Sequence, residues 1–151
     1  MYSVIKSFGI SGVGGFPVSV EVYLSNGMFD FSIVGLPDAA VKEARERVRA
    51  AIRNNSMSFP LGKIIINLAP ADKKKAGTVY DLPMLLGILA AKGDIRLPED
   101  FACFGEVSLD GTVRPVQGAL PMALCACREG VKKLFVPEDN AHEAAFVDGL
   151  E

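Results

Sequence analysis

The sequence has no tryptophan, one histidine and three cysteines among its 151 residues. Each scarcity excludes a class of chemistry. A serine triad would need His142 as its base, and no nucleophile-elbow pattern surrounds any serine. The bland reading of His142, a helix-surface residue, is preferred. A zinc site needs four spaced ligands, or three with an open position, and the cysteines and lone histidine do not supply them. Cys103, Cys125 and Cys127 are an odd set in apolar stretches, unlike the dense even spacing of secreted disulfide scaffolds. They read as buried thiols of a reducing compartment, so a cytoplasmic protein is expected. Adjacent carboxylates at Glu99-Asp100 and Glu138-Asp139 sit beside prolines and read as turn residues, not an acid/base pair.

Two further absences narrow the partners. No apolar run reaches membrane-spanning length, and the amino terminus lacks the basic-then-apolar pattern of a signal peptide, so no membrane role is expected. Charge of one sign is also missing: 16 Lys and Arg against 18 Asp and Glu leave a net charge of -2. Any nucleic-acid binding must therefore come from a local patch. Finally, there is no Gly-x-x-x-x-Gly-Lys-Ser/Thr phosphate loop; Gly62-Lys63 is followed by Ile64, and Met57 stands where the first glycine would be.

What remains is ordinary globular composition, 50% hydrophobic and 23% charged, in a length that fits one domain. Tyr2–Ile10 and Pro17–Leu24 read as paired strands joined through Gly12, Gly14 and Gly15, with a third strand at Phe29–Val34 after an Asn26-Gly27 turn. Asp38 should cap a helix running to about Asn54, whose apolar face is Val41, Ala44, Val48, Ala51 and Ile52. The Ile64-Ile65-Ile66 run predicts a strand buried on both faces. Asp81 is expected to cap a core helix ending before Gly93, Asp110-Gly111 to close a hairpin between Phe101–Leu109 and Thr112–Val116, and helices to follow near Gly118–Arg128 and, capped by Asn140, to Val147. Leu134–Val136 reads as a short strand. The fold class is α/β (α+β), a mixed sheet covered by helices. The chain stops at Gly149-Leu150-Glu151, where a helix-to-strand turn would launch another strand, which fits a fragment of something longer.

Three stretches carry a family resemblance: Phe31-Ser-Ile-Val-Gly-Leu-Pro-Asp38 leading into Val41–Ile52, Asn67-Leu-Ala-Pro-Ala-Asp-Lys73, and Gly105–Val116. Together they resemble the amino-terminal domain of the YifB/ComM family, often labelled magnesium-chelatase-like. The resemblance implies a single Lon-like domain over residues 1–151, followed in full-length relatives by an AAA+ ATPase module that uses ATP and magnesium. It also implies a homo-oligomeric ring, expected as a hexamer, and, from the ComM members, DNA helicase action in branch migration during natural transformation. The fold implied is that of the Lon proteolytic domain, shared with a domain of RadA and a ribosomal protein domain. In Lon a nucleophilic serine and a general-base lysine do the chemistry. Lined up with those two segments, this chain has Val79 and Leu120, which can neither attack a carbonyl nor take a proton.

Within the fragment no catalytic, cofactor or metal site is expected. The candidate contacts to DNA or a partner are basic: Lys42, Arg45, Arg49 and Arg53, one stripe on the long helix, and Lys73, Lys74 and Lys75 in a polar loop. Their bland reading is a solvated surface, with Glu43–Arg47 adding a helical pair. The function expected is a non-catalytic accessory module in assembly or in DNA or partner binding. The alternative is a Ser/Lys peptidase with a displaced dyad, Ser56, Ser58 or Thr78 serving as nucleophile and one of Lys73 to Lys75 as base.

Overall fold

The structure, a computed structural model, describes residues 1–151. Strands β1 (Tyr2–Ser11) and β2 (Gly14–Ser25) pair antiparallel from Tyr2↔Tyr23 to Ser11↔Gly14, and Gly12, at φ 63°, makes the tight turn. Strand β3 (Asp30–Val34) leads through Asp38 into helix α1 (Ala39–Asn54), which crosses over to β4 (Lys63–Ala69), parallel to β3 and antiparallel to β2. Helix α2 (Asp81–Lys92) precedes β5 (Phe101–Cys103), which pairs parallel with β1. A small hairpin, β6 (Glu106–Val107) and β7 (Val113–Arg114), precedes α3 (Ala119–Arg128). Strand β8 (Lys133–Phe135) then closes the far edge, followed by a single turn at Glu138–Asn140 and the short α4 (Ala141–Ala144). The six-stranded order is β3-β4-β2-β1-β5-β8.

The alternating residues of β2 decide the layering. Val18, Val20, Val22 and Leu24 join Ile5, Ile64, Ile66 and Leu68 beneath Val41, Ala44, Val48 and Ile52 of α1 and Met84 and Ile88 of α2. Each such aliphatic contributes about 1.5–3 kcal/mol on full burial. Phe8 points to the other face and packs with Ala102, Phe104 and Leu134 under Met122, Ala123 and Ala126 of α3. The second face is covered only in part, by α3 over β1 and the start of β2 and by the Ala102 and Leu134 cluster of β5 and β8. That corrects the expectation for β4: Ile64 and Ile66 are buried, but Ile65 is 41% exposed, in a cross-strand row with the exposed Tyr23 and Tyr2.

Asp38 caps α1 as expected, accepting from the Val41 amide at 2.7 Å. Asp81 does not cap α2, whose N-cap is Tyr80. Instead its carboxylate is fully buried and accepts from Arg47 Nε at 2.6 Å, Arg47 Nη2 at 3.0 Å and the Val107 amide at 3.1 Å. Burial pushes the Asp81 carboxyl above its ordinary range, against the pull of Arg47 and the Val107 amide, while Asp81 holds the Arg47 guanidinium above its own. The surface pair Glu43–Arg47 is present but longer, at 3.8 Å.

Asn140 stands at the N-cap of α4 as expected, but its side chain makes no cap hydrogen bond: it is buried and bonds both the amide and the carbonyl of Val116, at 2.8 and 3.0 Å. The long strand expected over Phe101–Leu109 is split: Gly105 donates to Val79 and accepts from Leu82, which turns the chain out of the main sheet between β5 and β6. Cys103 and Cys125 are buried, but Cys127 is exposed. No helix is long and apolar enough to cross a membrane.

Removing one member of a buried ion pair leaves an uncompensated charge, so Arg47→Met should destabilise the domain by about 3–5 kcal/mol, and Arg47→Met/Asp81→Leu should recover most of it. Urea denaturation of the two variants and the wild type measures both values.

Candidate functional site

A concave feature with convergent polar groups lies where three segments meet: the 74–80 approach to α2, the 116–118 turn before α3, and the closed end of the β1–β2 hairpin. The cleft is about 500 Å³, within the roughly 300–1,000 Å³ of small-molecule sites. Ile10, Phe16, Val79 and Val116 supply apolar walls, and Lys74, Thr78, Tyr80 and Gln117 the polar groups.

The loop leading into the cleft is pinned from below by Lys75. Its side chain is buried, and Nζ donates to the carbonyls of Gly35, at 2.9 Å, and Pro70. Its backbone bridges the Leu36 carbonyl and the Asp38 amide, and Asp38 Oδ2 takes the Gly77 amide at 3.2 Å. Burial lowers the pKa of the Lys75 ammonium, with Asp72 pulling it back. The candidate basic loop is thus divided: Lys73 and Lys74 are exposed, while Lys75 faces inward and cannot lie on a surface patch. A solvated lysine triplet was the reading that spacing allowed, and the two carbonyls turned inward by Gly35 and Pro70 are what override it.

Tyr80 forms the cleft floor. It is 1% exposed, and its hydroxyl has no hydrogen-bond partner. A Cβ on Gly9 would stand 2.6 Å from that hydroxyl and 2.5 Å from Phe16 Cζ, so the floor requires glycine at this point of β1. Burial, with Asp38 nearby, raises the Tyr80 phenol above its ordinary value, so it stays a donor. Lys73 Nζ lies 4.6 Å from the centroid of the Phe16 ring. Sequence reasoning missed Tyr80, Phe16, Ile10 and Gln117, because nothing local to them announces that three distant segments converge.

The basic stripe on α1 is also subdivided. Arg45 donates to the Phe31 carbonyl at 3.2 Å, and Arg49 stacks 4.7 Å from the Phe29 centroid, so both are partly committed to β3 and its turn. Lys42 and Arg53 are exposed, and none of the four forms an ion pair with a carboxylate. The stripe is on a different element from the cleft.

The displaced-dyad residues separate similarly. Thr78 and Lys74 both line the cleft. Ser58 instead accepts from Lys92 Nζ at 2.8 Å, and Lys92 is also paired with Asp94 at 2.8 Å. Ser56 is exposed just after α1. His142 is exposed, edge-on to Phe146. No group of three or more His, Cys, Asp or Glu side chains could hold a metal ion.

Comparison with known proteins meets this geometry at the level of family. The model for subunit ChlI of Mg-chelatase matches residues 20–140, which include α1, the buried ion pair and most of the cleft. The chain belongs to this family. Within its range, the chain is similar to protein YifB of Escherichia coli, 40% identical over 149 residues that make up 97% of this chain and 29% of that protein. It is equally similar to the competence protein ComM of Haemophilus influenzae, 40% identical over 147 residues, 96% of this chain and 29% of ComM. A weaker likeness reaches the Lon protease of Brucella suis, 26% identical over 151 residues, 95% of this chain and 19% of that protein. The chain thus spans under a third of the length of these relatives. The ChlI-family membership, the YifB and ComM similarity and the mixed α/β fold agree with the expectation from sequence.

The three lysines predict a graded experiment. Lys75→Met removes two charge-assisted bonds to buried carbonyls and should lower stability by about 1–3 kcal/mol, whereas Lys73→Met and Lys74→Met should stay within about 0.5 kcal/mol of wild type. Thermal or urea unfolding of the three single variants reads the difference.

Proposed function

We propose that this chain is a non-catalytic accessory domain of a YifB/ComM-type AAA+ ATPase, acting in assembly or in partner binding. One observation carries the reading: the cleft at the junction of the 74–80 and 116–118 segments is lined by neither a serine nor a lysine at the two positions aligned with the Lon dyad. Val79 lines that cleft where the Lon-like alignment would put the serine, and Leu120, aligned with the lysine, is not among its lining residues. Thr78 and Lys74 lie there without a hydrogen bond between them, and a hydroxyl that is not bonded to a base is not an activated nucleophile. Relatives more than three times as long support a further ATPase module, with ATP and magnesium bound there, a cytoplasmic location and a ring, hexameric by analogy, as the assembly. Fold alone does not convey function, and here the site argues against peptidase action. Unfolded casein should remain intact with this chain, and a fluorophosphonate probe should label no residue. Labelling of Thr78, lost on heat denaturation, would establish the displaced-dyad peptidase instead.

A second reading, DNA contact as in a branch-migration helicase, is favoured by a separate observation: Lys42, Arg45, Arg49 and Arg53 lack carboxylate partners on one helix face. A footprint of three or four charges gives weak binding whose log-log salt slope is roughly 0.7–0.9 per contact, with little base preference. Because Arg45 and Arg49 also hold β3, the informative reversal is Lys42→Glu/Arg53→Glu, which touches only exposed side chains. Fluorescence anisotropy over a salt series should show weak binding by the wild type and none by the variant; equal binding by both would leave the stripe a solvated surface.

A further inference from the structure

We propose that the cleft between the 74–80 and 116–118 segments binds a ligand that joins an aliphatic group to a carboxylate. This deepens the non-catalytic reading and rests on it. Three independent features converge on that chemistry.

The first is shape and polarity. Ile10, Phe16, Val79 and Val116 give an apolar pocket that a branched aliphatic chain would fill, and an exposed apolar recess gains from being covered. The second is charge. The only charged side chain lining the cleft is Lys74, which has no acidic partner, and Lys73 stands beside it over Phe16. On the opposite wall, Gln117 and Gly118 lead into α3, whose N-cap Gly118 offers no side-chain cap. The start of α3 already holds a carboxylate, since Glu143 accepts from the Leu120 amide at 3.3 Å, so the positive charge facing the cleft is that of the lysines. A wall with a lysine and no lining carboxylate favours an anion.

The third is a buried donor. Tyr80, 1% exposed with an unpartnered hydroxyl, reaches the floor between Gly9 and Phe16. A buried hydroxyl without a partner is destabilising by itself, and an acceptor entering from the cleft would relieve it. Raised by burial, the phenol remains protonated at neutral pH and can donate to such an acceptor. Lys74 and Tyr80 would then hold the carboxylate while the four apolar side chains take the aliphatic group. The same chemistry is found in a free branched-chain acid and in the carboxyl end of a peptide.

The test is an amide-shift titration of the isotope-labelled chain by nuclear magnetic resonance, with three probes: N-acetyl-leucyl-leucine, its carboxyl-terminal amide, and isocaproate. The free-carboxylate dipeptide should shift the amides of Thr78, Val79, Tyr80, Val116 and Gln117 saturably at millimolar concentration. The amide should bind at least about fivefold more weakly, the loss of one charge-assisted contact, and Lys74→Gln should erase that difference. Tyr80→Phe should weaken the carboxylate about threefold or more while its spectrum and unfolding midpoint show an intact fold. Isocaproate binding as tightly as the dipeptide identifies a free acid as the ligand, and much weaker isocaproate identifies a peptide end. No saturable shift at the cleft with any probe, equal binding of acid and amide, or indifference to Lys74→Gln overturns the proposal. Release of free leucine from the dipeptide would sink the non-catalytic reading instead, with binding left standing.

Discussion

Arg47 and Asp81 form the contact on which the arrangement turns. Arg47 projects from the polar side of α1, Asp81 opens α2, and the same carboxylate holds the amide of Val107 in β6. Three elements far apart in sequence are thereby tied at one buried point. Two charges taken from water need a nearly full set of hydrogen bonds to be tolerated, and here both carboxylate oxygens are engaged. The geometric effect matters more than the net energy: with α2 fixed at its first residue, Tyr80 is set immediately beneath it, and Gly105 pairs with Val79 and Leu82 to bring β6 alongside. The floor of the cleft follows from that.

A second constraint acts from the loop's other end. Lys75 fills the space below Gly35 and Pro70 with its ammonium, so the 74–80 segment enters the cleft with its backbone held at both ends. Such a loop is preorganised for binding, since little ordering remains to oppose it. The neighbouring Lys73 and Lys74 stay outside because no carbonyls converge on them. Two of three consecutive lysines thus serve the surface and one the interior, by the position of acceptors and not by residue type. The electrostatic character of the cleft is likewise local: a chain with a net charge of -2 presents there a lysine with no lining carboxylate.

Local signals in the sequence were sufficient for elements whose reasons are local. The alternation of Val18, Val20, Val22 and Leu24, the apolar spacing on α1, the Asp38 cap and the Asp110-Gly111 turn each depend on neighbours within a few residues, and each is realised. The family resemblance, carried by contiguous motifs, also led to the right fold class. Expectations failed where a distant partner competed. Asp81 had the composition of a cap but found Arg47; Asn140 keeps the N-cap position of α4 while its side chain turns to Val116; Ile65 looked as buried as its neighbours, yet its outward face meets no helix.

What the sequence determined by itself is therefore the catalogue of elements, their amphipathic faces, and the absence of a phosphate-loop motif, because these rest on residue identity and short-range periodicity. Which side chains share a space was decided only by the tertiary structure. The sheet order β3-β4-β2-β1-β5-β8 and the Arg47–Asp81 tie bring residues 10, 16, 74–80 and 116–118 to one cleft, a convergence set by long-range packing for which no local pattern in the chain is a record.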